Sequence, residues 1–272
     1  MEKRMLFLDL DGTLLSDDKL ITPGNRRALE GALRRGHGVI ITTGRPLKSA
    51  IDQARCLGLD KPGCYLIAFN GAAVYDWEKR ALIFSRTLEL DTAAQVFALA
   101  NARKLHVQAY DSQNVLVEKR CDDEEVRWYS AMTHMDFRVI EDVPQGLRET
   151  PAKILVIELT DSQRLEQLQQ ALRQALEGRV DCFFSSGQLL EVVPAGLNKG
   201  EAVKMLCRLL DVPIENAVAV GDAANDLSML RAAGIGVAMA NGTAEVKAAA
   251  DYITQRDNNH DGVAEVVEKF LQ

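Results

Sequence analysis

The sequence predicts an α/β protein with a Rossmann-like parallel β-sheet core and an inserted α+β domain. At both ends of the chain, short apolar runs that fit buried strands alternate with segments of helical periodicity, which is the pattern of a parallel sheet. In the middle of the chain, strand patterns occur in pairs with helices between them, which is typical of an α+β module. We therefore predict a core formed by residues 1–86 and 189–272 and an inserted cap domain formed by residues 87–188.

The composition of the chain argues against several classes of function. The 272 residues suffice for one large domain or two ordinary ones, and 47% of them are apolar, so a full core can form. The net charge of -7 argues against a general binder of nucleic acids or membrane surfaces. No apolar run approaches the ~20 residues of a membrane span. The five cysteines are scattered without a Cys-x-x-Cys pair, which indicates reduced thiols in a cytoplasmic protein.

The N-terminal part of the chain predicts a strand, helix, strand unit. An apolar run at residues 5–8 leads into Asp9 and Asp11, and a helix is expected from Pro23 with Thr22 as its N-cap. A second buried strand at residues 39–42 runs into Thr43, Gly44 and a helix that begins near Pro46. A third strand at residues 65–68 is followed by Asn-Gly, a hairpin signal, and by a further strand at residues 73–75.

The predicted insert has a different order of elements. Helices are expected at residues 92–103, 122–132 and 162–176, and strands at residues 106–110, 114–118, 153–159, 182–184 and 190–193. The alternating pattern then returns. A helix opens at Asn198-Lys199-Gly200, a buried strand at residues 217–220 ends in Gly221-Asp222, and strands at 235–239 and 252–253 alternate with short helices up to the end of the chain.

The polar residues that follow these strands predict one shared site. The carboxyl ends of parallel strands lie at one edge of the sheet, where ligands bind. On a strand, Asp9 and Asp11 would point to the same face. We expect Lys199 to reach the same crevice from the start of its helix. The residues expected at that edge are Asp9, Asp11, Thr43, Asp222, Asn225 and Asp226.

This mixture of side chains predicts phosphate chemistry. Carboxylate oxygens suit Mg²⁺, and a lysine, a hydroxyl and free turn N–H groups suit a phosphate. With the cation and Lys199 offsetting the repulsion between two anions, Asp9 can attack phosphorus and form an aspartyl-phosphate. Asp11 can then protonate the leaving group and later activate water.

The motifs that carry this site resemble those of the haloacid dehalogenase superfamily of phosphatases, in particular its Cof-type sugar-phosphatase branch (class IIB cap). The matching segments occur in the family's order and frame the whole chain. They are Asp9-Leu-Asp11-Gly12-Thr13-Leu14, Thr43-Gly44-Arg45, Asn198-Lys199-Gly200 and Gly221-Asp222-x-x-Asn225-Asp226 with Met229-Leu230. The segment Val237-Ala-Met-Ala240-Asn241 is close to the branch's Ala-Met-Gly-Asn, with Ala240 in place of the glycine.

The resemblance implies a Rossmann-like core with a mobile α/β cap, and a role for each matching residue. It implies that Asp9 is the nucleophile and Asp11 the acid and base. Mg²⁺ would be held by the Asp9 side chain, the Asp11 carbonyl and Asp222. The implied phosphate contacts are Leu10, Thr43, Gly44, Lys199 and Asn225, with Arg45 and Asp226 in supporting roles. The implied substrate is a small phosphorylated metabolite, such as a sugar phosphate.

Several alternatives stay open at the level of sequence. A phosphomutase or a non-catalytic phosphometabolite-binding protein would use the same core, although the intact Asp9, Asp11 and Asp222 argue against the latter. Residues 257–268 fit a calcium-loop template, but a strand is expected before them, and Asp261 suits the N-cap of the last helix. Substrate identity and oligomeric state are not predicted. Candidate substrate contacts on cap turns are Asp111, Ser185, Ser186 and Gln188.

Overall fold

The computed structural model describes residues 2–111, 113–119 and 124–272. Within this part, the chain forms two compact units. The first contains the residues up to Gly44, Ala50–Phe84 and Asn198–Gln272, and the second contains Arg45–Ser49 and Ser85–Leu197. No helix in these described ranges is both long enough and apolar enough to cross a membrane.

In chain order, the strands are β1 (Met5–Leu8), β2 (Gly38–Thr42), β3 (Cys64–Ala68), β4 (Ala73–Asp76), β5 (Ala81–Ser85), β6 (His106–Tyr110), β7 (Val115–Glu118), β8 (Phe137–Ile140), β9 (Ile154–Ile157), β10 (Val180–Ser186), β11 (Leu189–Pro194), β12 (Ala217–Gly221), β13 (Ile235–Ala238) and β14 (Tyr252–Ile253). The helices are α1 (Pro23–Arg34), α2 (Leu47–Leu57), α3 (Leu90–Ala102), α4 (Glu124–Thr133), α5 (Val143–Gly146), α6 (Ser162–Ala175), α7 (Lys199–Leu209), α8 (Leu227–Ala232), α9 (Ala244–Ala249) and α10 (Gly262–Phe270).

The first unit is built on an eight-stranded sheet in the order β14-β13-β12-β1-β2-β3-β4-β5. The six strands from β14 to β3 run parallel, and β4 pairs antiparallel with β3. Strand β1 is central, with Leu8 beside Val220 of β12 on one side and Ile41 of β2 on the other. Because these strands are parallel, the residues that follow β1, β2 and β12 emerge at the same edge. The predicted α/β class is confirmed.

Local sequence explains why α1 and α7 begin where they do. Thr22 accepts a hydrogen bond from the Asn25 N–H ahead of Pro23, and Asn198 accepts one from the Glu201 N–H at 2.9 Å. Both are N-cap interactions. Helix α7 then buries Ala202, Val203 and Leu206 against the sheet. Burial of a side chain the size of Leu206 contributes roughly 1.5–3 kcal/mol, so this face fixes α7, and with it Lys199, against the strands.

The second unit has its own six-stranded sheet and its own core. The order is β10-β11-β9-β6-β7-β8, antiparallel throughout except for the parallel pair β7 and β8. Apolar side chains of α3 and α6, including Phe97 and Leu168, pack with Val107, Val156 and Val192 of the strands. An apolar face on two helices and one sheet face suffices to make this unit compact.

The predicted domain boundaries differ from the observed ones at three places. Residues 85 and 86 were expected in the core but group with the second unit. Residues 189–197 were expected in the core, but β11 pairs antiparallel with both β9 and β10, so the first unit resumes only at Asn198. The segment Arg45–Ser49 also groups with the second unit. Strands β5 and β8 were not predicted, because their residues are mostly exposed or half-buried and lack a clear apolar alternation. Residues 122 and 123 of the predicted helix 122–132 lie outside the described residues.

Candidate active site

Polar side chains gather where β1 and β12 end and α7 begins. Asp9 follows β1 directly and its residue is only 7% exposed. Asp222 follows β12, and Asp226 lies fully buried in the next turn, residues 224–226. Lys199 is the first residue of α7 and is 1% exposed. Four residues separated by up to 217 positions of sequence are thus brought to one edge of the sheet.

Lys199 forms ion pairs with both Asp9 and Asp226. Its Nζ lies 2.5 Å from Oδ1 of Asp9 and 2.6 Å from Oδ1 of Asp226. Burial lowers the pKa of Lys199, but the Asp226 and Asp9 carboxylates raise it further, so its net pKa lies above the usual value. Lys199 therefore stays a cation and holds one oxygen of Asp9 in place.

The carboxylates outnumber this single cation. Asp9, Asp222 and Asp226 each offer an oxygen within 4.8 Å of the others. At that separation two carboxylates repel by about 3 kcal/mol at an effective dielectric constant near 20. Burial first, and then Asp226, raise the pKa of Asp9 well above its usual value. Burial likewise raises the pKa of Asp222 to about 6.

An excess of buried carboxylate oxygen is the donor set that a hard divalent cation needs. The ligands are oxygen only, and the cluster carries more negative charge than Lys199 neutralises. A bound cation would relieve the carboxylate repulsion that, after burial, raises both pKa values. These residues therefore fit the predicted Mg²⁺, with Asp9 and Asp222 among the predicted ligands.

Asp226 also organises the turn that carries Asp222. Its Oδ2 accepts hydrogen bonds from the backbone N–H groups of Asp222 at 3.0 Å and Ala223 at 3.1 Å, while its Oδ1 contacts Lys199. On the other side, Oγ1 of Thr13 donates to Oδ1 of Asp222 at 2.8 Å. Asp226 therefore fixes this turn through its hydrogen bonds, and the orienting role in catalysis that the resemblance implies for it stays a prediction.

Asp11 does not lie where the strand argument placed it. Strand β1 ends at Leu8, so the alternation of side chains along a strand does not extend to Asp9 and Asp11. The Asp11 side chain is 41% exposed and forms an ion pair with Lys19 at 2.9 Å. The expectation of two carboxylates on one strand face is therefore wrong. The implied roles of Asp11, as acid and base and through its carbonyl as a metal ligand, stay predictions.

Gly12 lies in a turn that has no room for a side chain. Its φ of +84° is in the left-handed region, and a Cβ there would lie 2.4 Å from Oδ2 of Asp222. Only glycine allows the two loops to approach this closely. The Gly12 carbonyl accepts a hydrogen bond from Nδ2 of Asn241 at 2.7 Å. The Ala-Met-Gly-Asn-like segment thus supports the loop that carries Asp9 and Asp11.

The remaining predicted phosphate contacts lie on the first unit. Thr43 is buried, and its N–H donates to the Ile67 carbonyl at 2.9 Å. Leu10 is buried and its carbonyl accepts from the N–H of Leu15 at 2.9 Å. Asn225 lies in the turn with Asp226. Arg45, which was predicted in a supporting role, groups with the second unit instead.

The C-terminal turn, residues 257–262, contacts the loop that follows β1. Strand β14 precedes it, as predicted, so the helix that a calcium loop requires on that side is replaced by a strand. Nδ2 of Asn258 donates to the Leu15 carbonyl at 3.0 Å. Asp261 is the N-cap residue of α10, as predicted. Its side chain makes no cap bond to α10 and accepts instead from Thr22 and the Asn25 N–H at the start of α1.

Comparison with known proteins decides the family. A sequence profile of haloacid dehalogenase-like hydrolases matches residues 6–267, which is nearly the whole chain. The chain belongs to this family.

Similar proteins of the haloacid dehalogenase-like family extend over the full length. A putative phosphatase of Bacillus subtilis, YxeH, is 30% identical over 270 residues and 98% of each chain. The pyridoxal phosphate phosphatase YbhA of Escherichia coli is 30% identical over 278 residues and 100% of each chain. A haloacid dehalogenase-like hydrolase from Bacteroides thetaiotaomicron superposes with a TM-score of 0.89 at 30% identity, covering 98% of this chain and 99% of that one. The predicted family and the predicted enzyme class, a phosphatase, are confirmed.

The second unit of this phosphatase contains a buried polar cluster that the sequence did not reveal. Nζ of Lys153 lies 2.6 Å from Oε2 of Glu191, and both side chains are buried. Oγ of Ser185 donates to Oε1 of Glu191 at 2.8 Å, and Lys153 lies 5.4 Å from the centroid of the Tyr110 ring. Burial lowers the pKa of Lys153, but Glu191 and Tyr129 raise it, and the net pKa lies above the usual value.

The predicted cap-turn contacts are only partly in this cluster. Ser185 belongs to it. Asp111 instead stabilises its own turn, where Oδ1 accepts from the Gln113 N–H at 2.8 Å, and it pairs with Arg138. Ser186 and Gln188 are exposed and bond to each other. Lys153 and Glu191 are 38 positions apart, and neither belongs to a recognisable motif. The sequence therefore does not indicate that they form a pair.

Proposed function

We propose that this phosphatase is a Mg²⁺-dependent phosphohydrolase that removes phosphate from a small phosphorylated metabolite through an aspartyl-phosphate on Asp9. One observation carries the proposal. A buried carboxylate at the end of the central strand has one oxygen fixed by a buried lysine and two further carboxylates within 4.8 Å. A nucleophile, a fixed cation and a donor set for a divalent ion are the parts that phosphoryl transfer to a carboxylate requires.

Asp9 performs the first step. Lys199 holds its Oδ1, which leaves the second oxygen to attack phosphorus. The new bond joins that oxygen to phosphorus as the bond to the leaving oxygen breaks. Asp9 and Asp222, with the Asp11 carbonyl, would hold Mg²⁺, and the ion supplies positive charge against the repulsion between carboxylate and phosphate.

Asp11 acts as the general acid in the first step and as the general base in the second. In its protonated form it gives a proton to the leaving alkoxide, and the resulting carboxylate then takes a proton from water. That water attacks phosphorus, breaks the bond to Asp9 and releases phosphate, which restores both carboxyl groups. To serve these steps the Asp11 side chain must leave its exposed ion pair with Lys19. Such surface pairs contribute only about 0–1 kcal/mol, so breaking this ion pair costs little.

The second unit is proposed to act as the specificity cap. Its buried cluster around Lys153, Glu191 and Tyr110 presents several hydrogen-bonding groups in a nearly charge-neutral arrangement, which suits recognition of a polar organic group. The similar E. coli protein is named for a small phosphorylated metabolite, pyridoxal phosphate, which supports a substrate of that size. We also propose that the reaction takes place in the cytoplasm, with neither nucleic acid nor membrane as partner.

The test is phosphate release from a panel of sugar phosphates, nucleotides and phosphorylated cofactors. The wild type is expected to release inorganic phosphate with MgCl₂ and to lose this activity in EDTA. Asp9→Asn should lower turnover by at least ~10³-fold, because an amide is a poor nucleophile. Asp17→Asn, an acid-to-amide change on the same loop, should keep wild-type turnover.

Unchanged turnover in Asp9→Asn would refute the nucleophile assignment. Isomerised sugar phosphate without free phosphate would identify a phosphomutase. Binding without any turnover of the panel would favour a non-catalytic protein.

A further inference from the structure

Asn70 lies in a strained turn beside the predicted phosphate contacts. The turn, residues 69–71, follows β3, and both Phe69 and Asn70 have left-handed φ angles of +52° and +54°. Such values are uncommon for residues other than glycine and often mark functional sites. The N–H of Asn70 donates to the Thr43 carbonyl at 3.0 Å. A Cβ on Gly44 would lie 2.9 Å from Nδ2 of Asn70, so the side-chain amide lies against the Thr43-Gly44 turn.

The same turn is packed against the start of α7. Gly71 has a φ of +115°, and a Cβ at this position would lie 2.7 Å from the Asn198 carbonyl oxygen. Asn198 is the N-cap residue that precedes Lys199. Asn70 is therefore held between the segment that carries Thr43 and Gly44 and the segment that carries Lys199. Both neighbouring segments are predicted to contact phosphate.

The Asn70 side chain is buried without partners. The residue is 2% exposed, and neither Nδ2 nor Oδ1 has a hydrogen-bond partner within the described ranges. In those ranges, no other side chain has two buried atoms of this kind. Burying an amide without partners is costly, and most buried polar groups in proteins are paired. An unpaired amide at this position indicates that a bound molecule supplies the partner.

We propose that Asn70 is a substrate-binding residue whose Nδ2 donates a hydrogen bond to a phosphoryl oxygen. This inference rests on the proposed function. The N–H groups of an amide donate to an anion without adding charge, and hydrogen bonds to charged groups are stronger than neutral ones. The left-handed turn fixes the amide before the substrate arrives, so little side-chain freedom is lost on binding. Oδ1 then accepts from water or from a hydroxyl group of the substrate.

Two variants distinguish the contribution of the Asn70 side-chain amide from that of the left-handed turn conformation. Asn70→Asp keeps the size and tolerates the left-handed conformation, but it replaces the donor with a carboxylate that repels phosphate. Asn70→Gly keeps the turn, since glycine adopts positive φ freely, and removes the amide. Asn25→Asp is the matched control, because Asn25 is also fully buried with an unpaired Nδ2 but caps α10 through a bond to the Ala264 N–H.

The measurements are calorimetric affinity for inorganic phosphate with MgCl₂ and the KM for p-nitrophenyl phosphate. Asn70→Asp should weaken phosphate binding by at least ~30-fold and Asn70→Gly by ~10-fold, with parallel rises in KM. Asn25→Asp should stay within about twofold of wild type. Wild-type affinity in Asn70→Gly would overturn the proposal, since it would leave Asn70 only a conformational role.

The outcome for Asn70 is separable from that of the proposed function. If the wild type binds phosphate without hydrolysing any ester, and the Asn70 variants lose that binding, the hydrolase proposal falls and the Asn70 proposal stands. If the wild type hydrolyses esters and the Asn70 variants match it, only the Asn70 proposal falls. A wild type that neither binds nor releases phosphate overturns both.

Discussion

Asp222 offers a test in which stability and function should change in opposite directions. Burial raises the pKa of this carboxyl from 3.8 to about 6. One pKa unit corresponds to about 1.36 kcal/mol, so the ionised form costs the metal-free fold up to about 3 kcal/mol. Asp222→Asn removes that charge at nearly constant shape, and its Oδ1 can still accept from Thr13. At pH 7.5 in EDTA we expect the variant to be about 2–3 kcal/mol more stable than wild type.

The direction of the pH dependence of this stability difference follows from proton binding at Asp222. Between pH 3.8 and about 6 the folded state of the wild type binds more protons at Asp222 than the unfolded state does. Its stability therefore falls as the pH rises through this window, and the full cost is present above about pH 6. The advantage of Asp222→Asn should shrink as the pH falls through this window towards 3.8. Added MgCl₂ should stabilise the wild type and not the variant, because a predicted ligand is missing.

Urea denaturation at several pH values, with EDTA or MgCl₂, measures these differences. For a protein of this size, 2–3 kcal/mol also corresponds to a rise in Tm of about 4–12 °C. Asp17→Asn provides a control of opposite sign, because hydrogen bonds from Asn258 and Asn259 lower the pKa of Asp17. Above pH 4, Asp17→Asn should be less stable than the wild type. The reasoning is refuted if Asp222→Asn is less stable than wild type at pH 7.5 in EDTA, or if its advantage does not depend on pH.

Two further substitutions test the packing of each unit. Gly12→Ala places a methyl group 2.4 Å from the Asp222 carboxylate at a φ of +84°. It should cost about 1–3 kcal/mol and lower turnover at least ~10-fold, measured by urea denaturation and phosphate release; wild-type activity would contradict the assigned loop contact. Glu191→Gln leaves Lys153 buried with a neutral partner and should destabilise the second unit by about 3–5 kcal/mol. Adding Lys153→Met should recover most of that loss, and no recovery would show that the charge pair is not the cause.

Local sequence was sufficient for much of the core site. Asp9 and Asp222 each follow a short apolar run directly, and a parallel sheet brings the ends of such strands together. Lys199 could be placed because Asn198 marks the start of a helix with a clear apolar face. These signals are local in sequence, since a strand, a cap and a turn depend on neighbouring residues. The predicted family and class of enzyme followed from them.

Other features depended on contacts between distant segments. The membership of β11 in the second sheet is decided by its pairing with β9 and β10, and an apolar run of that length fits either sheet. The exposed position of Asp11 depends on where β1 ends and on Lys19. Strand propensity does not specify either.

The sequence by itself determined the α/β class, the order of the motifs along the core, and the candidate residues Asp9, Lys199 and Asp222. Only the tertiary structure decided that Asp226 shares Lys199 with Asp9 and that Asn70, predicted only as a hairpin residue, is buried without partners. The physical reason is that burial and charge coupling are properties of a packed environment. They arise from residues far apart in the chain, and no local pattern encodes the distance between them.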